Sequence, residues 1–200
     1  VALAKTAGRI SLRLANADIL PLDFKPWQQT MATYLEEVMK TAESMREEAA
    51  KHNKLVAQNA YGLAADPKKG LATPAAKQAI PYLDFSPLQN ALSKLQEEVE
   101  ALSEQDLTSL PEKKQEALNS LLMYAEQQLT SVDGLPRRSW YRHQIYAPGF
   151  YTGYGVKTLP GVREAIEQQD WEEAQEQIGK LAGTLEHMRE YLGKINSQSK

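Results

Sequence analysis

The chain has 200 residues, and its 23 lysines and arginines nearly balance 26 aspartates and glutamates, for a formal net charge of −3. A duplex partner demands a clustered basic face, so no nucleic acid is expected as a partner. No apolar run approaches the roughly 18 residues of a membrane span. Cysteine is absent, which removes disulfides, thiolate metal sites and cysteine nucleophiles from the candidates.

A chain of this length buries roughly 70% of its unfolded surface, and a single domain over 1–200 is expected. The chain starts at Val1 and shows no signal-peptide pattern. Its opening VALAKTAGRISLRLANADIL reads as the middle of something longer, so the chain is expected to be a piece of a larger protein.

Apolar spacing of three and four, the mark of amphipathic helices, dominates. Leu3, Ala7, Ile10, Leu14 and Ala17 fit a first helix that stops before Pro21. A long second helix is predicted from about Pro26, with the stripe Trp27, Met31, Tyr34, Leu35, Val38, Ala42, Met45 and Ala49. From His52 to Phe85 glycines and prolines break the pattern, leaving at most short helical turns such as Pro74–Ala79. Ser86 and Gln89 have the S-x-x-Q spacing of a capping box, with Pro87 in the first turn. The stripe Leu88, Leu92, Leu95, Val99 and Leu102 follows. Another helix is predicted from Pro111 through Val132, with Gly134 in the left-handed position beyond its end. Asp170 and Glu173 make a second capping box, ahead of the stripe Trp171 to Ile195, and the polar tail NSQSK is expected to fray. The five methionines read as core filler. The expected fold is all-α, a four-helix-bundle-like domain: four long helices, one or two short ones, and two irregular excursions.

The second excursion, residues 135–160, differs in composition. Trp140, Tyr141, Tyr146, Phe150, Tyr151 and Tyr154 crowd there with three arginines and three glycines. Arginine forks, tyrosine hydroxyls and close glycine backbone can build a carboxylate or phosphate site. The same residues also suit a structural loop whose aromatics are pinned on the helices. Elsewhere the chemistry is thin. His52, His143 and His187 lie far apart, and Glu186, His187 and Glu190 read as a solvated helix face. Neither a G-x-S-x-G elbow nor an S-x-x-K motif occurs. The pairs Glu97–Glu98 and Glu172–Glu173 read as solvent-facing helix charges. No catalytic residue and no metal ligand is assigned.

Two strings carry a resemblance. YRHQIYAPGFYTGYGVKTLPGV (141–162) resembles the C-terminal segment of glutamate carboxypeptidase II and its relatives, in which Y-R-H-x-I-Y-A-P leads into a glycine- and tyrosine-bearing loop and a P-G turn. GRISLRLANADILPLDF (8–24) resembles the same family's L-A-N/D-x-x-x-L-P-F/L-D helix end. They bracket what that family calls the transferrin receptor-like dimerisation domain. The resemblance implies a C-terminal helical domain with two roles: homodimerisation, and completion of the substrate pocket of a zinc-dependent exopeptidase. Its partners would be a second copy and the peptidase domain of the same parent chain. Zinc would belong to that upstream domain, and none to this chain.

The resemblance places Tyr154 on the family's pocket tyrosine. It places Gly153 on the pocket lysine, an ammonium whose loss removes a contact worth about 1.5–3 kcal/mol. Gly155 would help shape this loop, with Tyr151 and Lys157 as outer candidates for substrate contact. Arg138, Arg142 and His143 would anchor the loop or the domain junction. An extracytoplasmic parent, secreted, periplasmic or membrane-anchored, is implied. A non-catalytic receptor on the same fold and a free-standing bundle are the alternatives. Zinc-ligand positions upstream of Val1 would separate the first two readings.

Overall fold

The computed structural model describes residues 1–66, 68–69 and 73–199. The order is α1 (Ala2–Ala15), α2 (Phe24–Ala57), α3 (Ala60–Ala64), α4 (Ser86–Ser103), α5 (Glu112–Leu122), β1 (Tyr146–Pro148), β2 (Val156–Thr158), α6 (Pro160–Glu167) and α7 (Trp171–Gln198). The fold is predominantly helical. Its one small sheet among the described residues pairs β1 and β2 antiparallel, with Ala147 opposite Lys157.

The 28-residue α7 is the centre. It packs on α4, α5, α6 and the 3₁₀ turn Glu126–Leu129, while α2 covers α4 and α6. The predicted stripes meet in one apolar cluster. Val38, Leu88, Leu95, Val99, Leu118, Ile166, Ile178, Met188, Leu192 and Ile195 are almost wholly sealed. Each such side chain contributes roughly 1.5–3 kcal/mol by leaving water.

α1 stands apart, with no buried residue along its 14. Leu3, Ile10, Leu12 and Leu14 all stay exposed. Its amphipathic stripe formed a helix that stays unburied among the described residues.

Several local expectations need correction. α2 begins at Phe24 because the Asp23 carboxylate caps it by accepting from the Lys25 N–H. The Ser86 capping box does not form; the Asp84 carboxylate accepts the Ser86 N–H instead, at 2.9 Å. Residues 74–79 carry no helical turn. α5 stops at Leu122, and Val132 is exposed. Gly134 does not end that helix. It sits in a tight loop at φ 68°, where a Cβ would lie 2.2 Å from the Ser139 carbonyl. Most of the tail is helical: α7 runs to Gln198, with Asn196 Nδ2 donating to Glu98 on α4 at 2.8 and 3.0 Å, and Lys200 lies outside the described residues. Met31 and Met188 are core, but Met123 is 68% exposed.

The stretch from Thr73 to Phe85 has no regular structure and is strapped on by side-chain amides. Asn53 accepts the Lys77 N–H and donates to the Lys77 carbonyl, at 2.8 and 2.9 Å. Gln175 does the same for Asp84, at 2.8 and 3.1 Å. Asn119 holds the segment after α1 through the Leu20 N–H and the Asp18 carbonyl. Each amide stands in for one rung of a strand ladder, satisfying backbone groups that would otherwise face the protein unpaired.

Candidate functional site

Residues 146–158 form a hairpin whose connecting tip, 149–155, is exposed from Phe150 onward. Its base is fastened by charge. Arg138, 3% exposed, donates from Nη2 to Glu164 Oε2 at 2.6 Å and from Nη1 to the Pro148 carbonyl. The other Glu164 oxygen accepts the Phe150 N–H at 2.8 Å. One buried ion pair thus grips the end of β1 and the first residues of the tip. A buried pair of this kind costs several kcal/mol of desolvation; two backbone partners, the Pro148 carbonyl and the Phe150 N–H, offset part of it, while Arg138 Nε is buried without a partner. The corner between β2 and α6 is also fixed. Leu159 is buried in a left-handed conformation, φ 47°, and its N–H bonds the Ile145 carbonyl at 2.7 Å.

Beside the base, His143 stacks on Tyr146 with ring centroids 4.2 Å apart. Its Nδ1 faces the Ile145 and Tyr146 N–H groups at 3.2 and 3.4 Å, which leaves the proton on Nε2, 3.6 Å from Glu126. Burial pushes the imidazole below its ordinary value, against the pull of Glu126. The Tyr146 hydroxyl donates to Glu126; that bond first, and burial second, push the phenol up to about 12.

The tip presents aromatic surface. Tyr154 is fully exposed and Tyr151 is 76% exposed, while Phe150 packs edge-on against Tyr151 at 4.9 Å. Gly153 has φ 66° and open space beyond it. Tyr151, Gly153, Tyr154 and Gly155 therefore lie together. Lys157 does not join them: its ammonium bonds both Glu167 oxygens at the end of α6, at 2.7 and 2.8 Å. Arg142 is exposed and lies at the base, where its carbonyl accepts from Ser131 and Gln144.

Sequence reasoning missed Glu164, Glu126 and Glu167, the acids that hold these cations and phenols. Glu164 had a readable signal. In the short run PGVREAIE, apolar residues fall on both sides of it, so an acid there has no open face and needs a partner. Glu126 and Glu167 had none, because either could equally have been a solvated charge.

Among the described residues, no group of three or more His, Cys, Asp or Glu side chains gathers as a metal site. Glu186 pairs with Arg189 and Lys94, and His187 with Gln128. Among the same residues, no helix is long and apolar enough to cross a membrane.

The described residues thus form a helical bundle with a solvent-exposed helix, α1, and a braced aromatic hairpin. The transferrin receptor-like dimerisation domain model matches residues 83–193, more than half of the chain, and the chain belongs to that family. It is also similar to three curated proteins. It is 29% identical over 194 residues to a probable glutamate carboxypeptidase of Arabidopsis thaliana, covering 94% of this chain and 23% of the plant protein. It is 28% identical over 186 residues to one of Arthroderma benhamiae, covering 92% and 22%. It is 25% identical over 167 residues to one of Zea mays, covering 83% and 19%. The chain spans about a fifth to a quarter of the length of these relatives.

Proposed function

We propose that the chain is the helical domain of a zinc-dependent exopeptidase of the glutamate carboxypeptidase kind, working outside the cytoplasm. In this reading it joins two copies of the parent, and its hairpin completes the substrate pocket of the peptidase domain. The observation that carries the reading is Tyr154, fully exposed at the end of a hairpin whose base is gripped by a buried ion pair. A projection that is rigid at its root and bare at its tip is shaped to reach another surface. The uncovered apolar residues of α1 support the same arrangement, since they offer a face to a preceding domain. Metal and catalytic base would come from that domain, and the metal would polarise the scissile carbonyl. This chain would position and enclose the substrate.

Two measurements test the reading. Tyr154→Phe in the full-length protein removes one neutral hydrogen bond, so kcat/KM on its best peptide should fall about two- to tenfold. An unchanged value removes the pocket role. For self-association, a trough of about 420 Å³ lies between the start of α2 and the end of α5. Leu22, Phe24, Trp27 and the exposed Met123 line it. A second copy would cover that rim, so Met123→Glu should shift the full-length protein from dimer to monomer mass in light scattering.

A further inference from the structure

We propose that His143 is an acid-sensitive latch at the foot of the hairpin: taking up a proton detaches its ring from the backbone entering β1 and moves Glu126 from the Tyr146 hydroxyl to the imidazolium. The inference holds whatever surface the tip meets, so it is independent of the pocket reading above.

Nδ1 of His143 faces two backbone N–H groups, of Ile145 at 3.2 Å and of Tyr146 at 3.4 Å. Both are donors, so Nδ1 presents its lone pair and the neutral ring carries its one proton on Nε2. Nε2 is buried without a hydrogen-bond partner among the described residues, and it lies 3.6 Å from Glu126 Oε1. A second proton can enter only at Nδ1. There it points at two other N–H groups, and both bonds to the backbone are lost. The ring must then turn, and Glu126 is the acid within reach. The same Glu126 oxygen already accepts the Tyr146 hydroxyl. A charged N–H is the stronger donor of the two, so the phenol gives way.

The groups around the ring set the direction of the switch. Glu126 comes from the 3₁₀ turn, and Tyr146, from β1, stacks on the imidazole. Asp23, at the start of α2, lines the same trough as Glu126 and Tyr146. Arg142 precedes His143 in the chain. His187 of α7 reaches the same 3₁₀ turn through Gln128 at 2.8 Å. Burial disfavours a charge on the His143 ring, Glu126 favours it, and burial is the larger. The closed latch is therefore the neutral one, and acid opens it. The opening stays local, because two neighbouring ties do not use the imidazole. The Leu159 N–H holds the Ile145 carbonyl at 2.7 Å, and Glu164 holds the Phe150 N–H at 2.8 Å.

Hydrogen exchange in the full-length protein, corrected for the intrinsic rate at each pH, reads the latch. Between about pH 7.5 and about pH 5, protection of the Ile145 and Tyr146 amides should fall about tenfold or more, the size of two lost hydrogen bonds. The midpoint should lie below 6.5, the ordinary histidine value, and Phe150 should keep its protection. Glu126→Gln removes the charge that draws the proton in, so it should move the midpoint to still lower pH. His143→Gln should leave protection of these amides flat over the range, and His187→Gln should leave the transition in place. Where His143→Gln fails to fold, the wild-type midpoint and its shift in Glu126→Gln carry the test. Constant wild-type protection, a midpoint at or above 6.5, or an upward shift in Glu126→Gln overturns the proposal. So does a transition that survives His143→Gln or disappears in His187→Gln.

Discussion

The strap over 73–85 and the hairpin over 146–158 both lie in long stretches without helix, and they are held in opposite ways. The strap is fastened by amides reaching from α2 and α7 to single backbone positions, together with the Arg46 guanidinium over the Tyr82 ring at 3.3 Å. These bonds are exposed and separate, and each is worth little alone. The hairpin is centred on a buried charged pair that touches both its first strand and its tip, with Tyr146–Glu126 and Lys157–Glu167 bonds on its flanks. Many weak, independent ties let a segment open piecemeal. Ties that share one buried centre make their segment move as one body.

Breaking each tie should expose that contrast. The largest effect is expected for Glu164→Ala, which leaves the Arg138 guanidinium buried without its acid. Stability should fall by about 3–5 kcal/mol in denaturant unfolding, and amides across 146–158 should lose hydrogen-exchange protection together. Next is Asn53→Ala, at about 1–2 kcal/mol for two exposed hydrogen bonds. Exchange should rise at Lys77 while Asp84, held by Gln175, stays protected; simultaneous loss at both would make the strap a cooperative unit after all. The smallest effect comes from pH. His143 binds its proton less readily folded than unfolded, so its contribution is complete above the ordinary histidine value of 6.5. It is lost as pH falls below that value, because the unfolded chain takes up the proton first. His143→Gln should flatten this part of the stability–pH curve. A curve unchanged by the substitution would show that the ring's burial is not felt.

Helical order was legible because stripes such as Leu88, Leu92, Leu95, Val99 and Leu102 repeat at the helical period, and those residues are buried. What escaped was everything fastened by a single polar side chain. Asn53, Asn119 and Gln175 sit on helix faces as anonymous polar residues, and only their distant partners give them a role. The Ser86 box failed for the same reason: Asp84, two residues upstream, reached the first free N–H. The hairpin was foreseen as an irregular aromatic excursion. Its strands are three residues each, too short for alternation to register. The exposed rings of Tyr151 and Tyr154 lie in the stretch whose composition stood out. That Lys157 would turn toward Glu167 was not legible, since a lysine and an acid ten residues apart carry no local pattern.

The length of α7 has a further effect. At 28 residues it runs about 42 Å, and Gln177 near one end and Asn196 near the other are both buried. Gly179 and Gly183, between them, touch nothing that a methyl group would disturb. Deleting one residue there would remove no packed side chain yet turn the two halves by about 100° relative to each other, carrying one half's stripe out of the core. Angular phase along this one rod, more than any contact on it, keeps the hairpin end and the carboxyl-terminal end of the molecule parts of the same object.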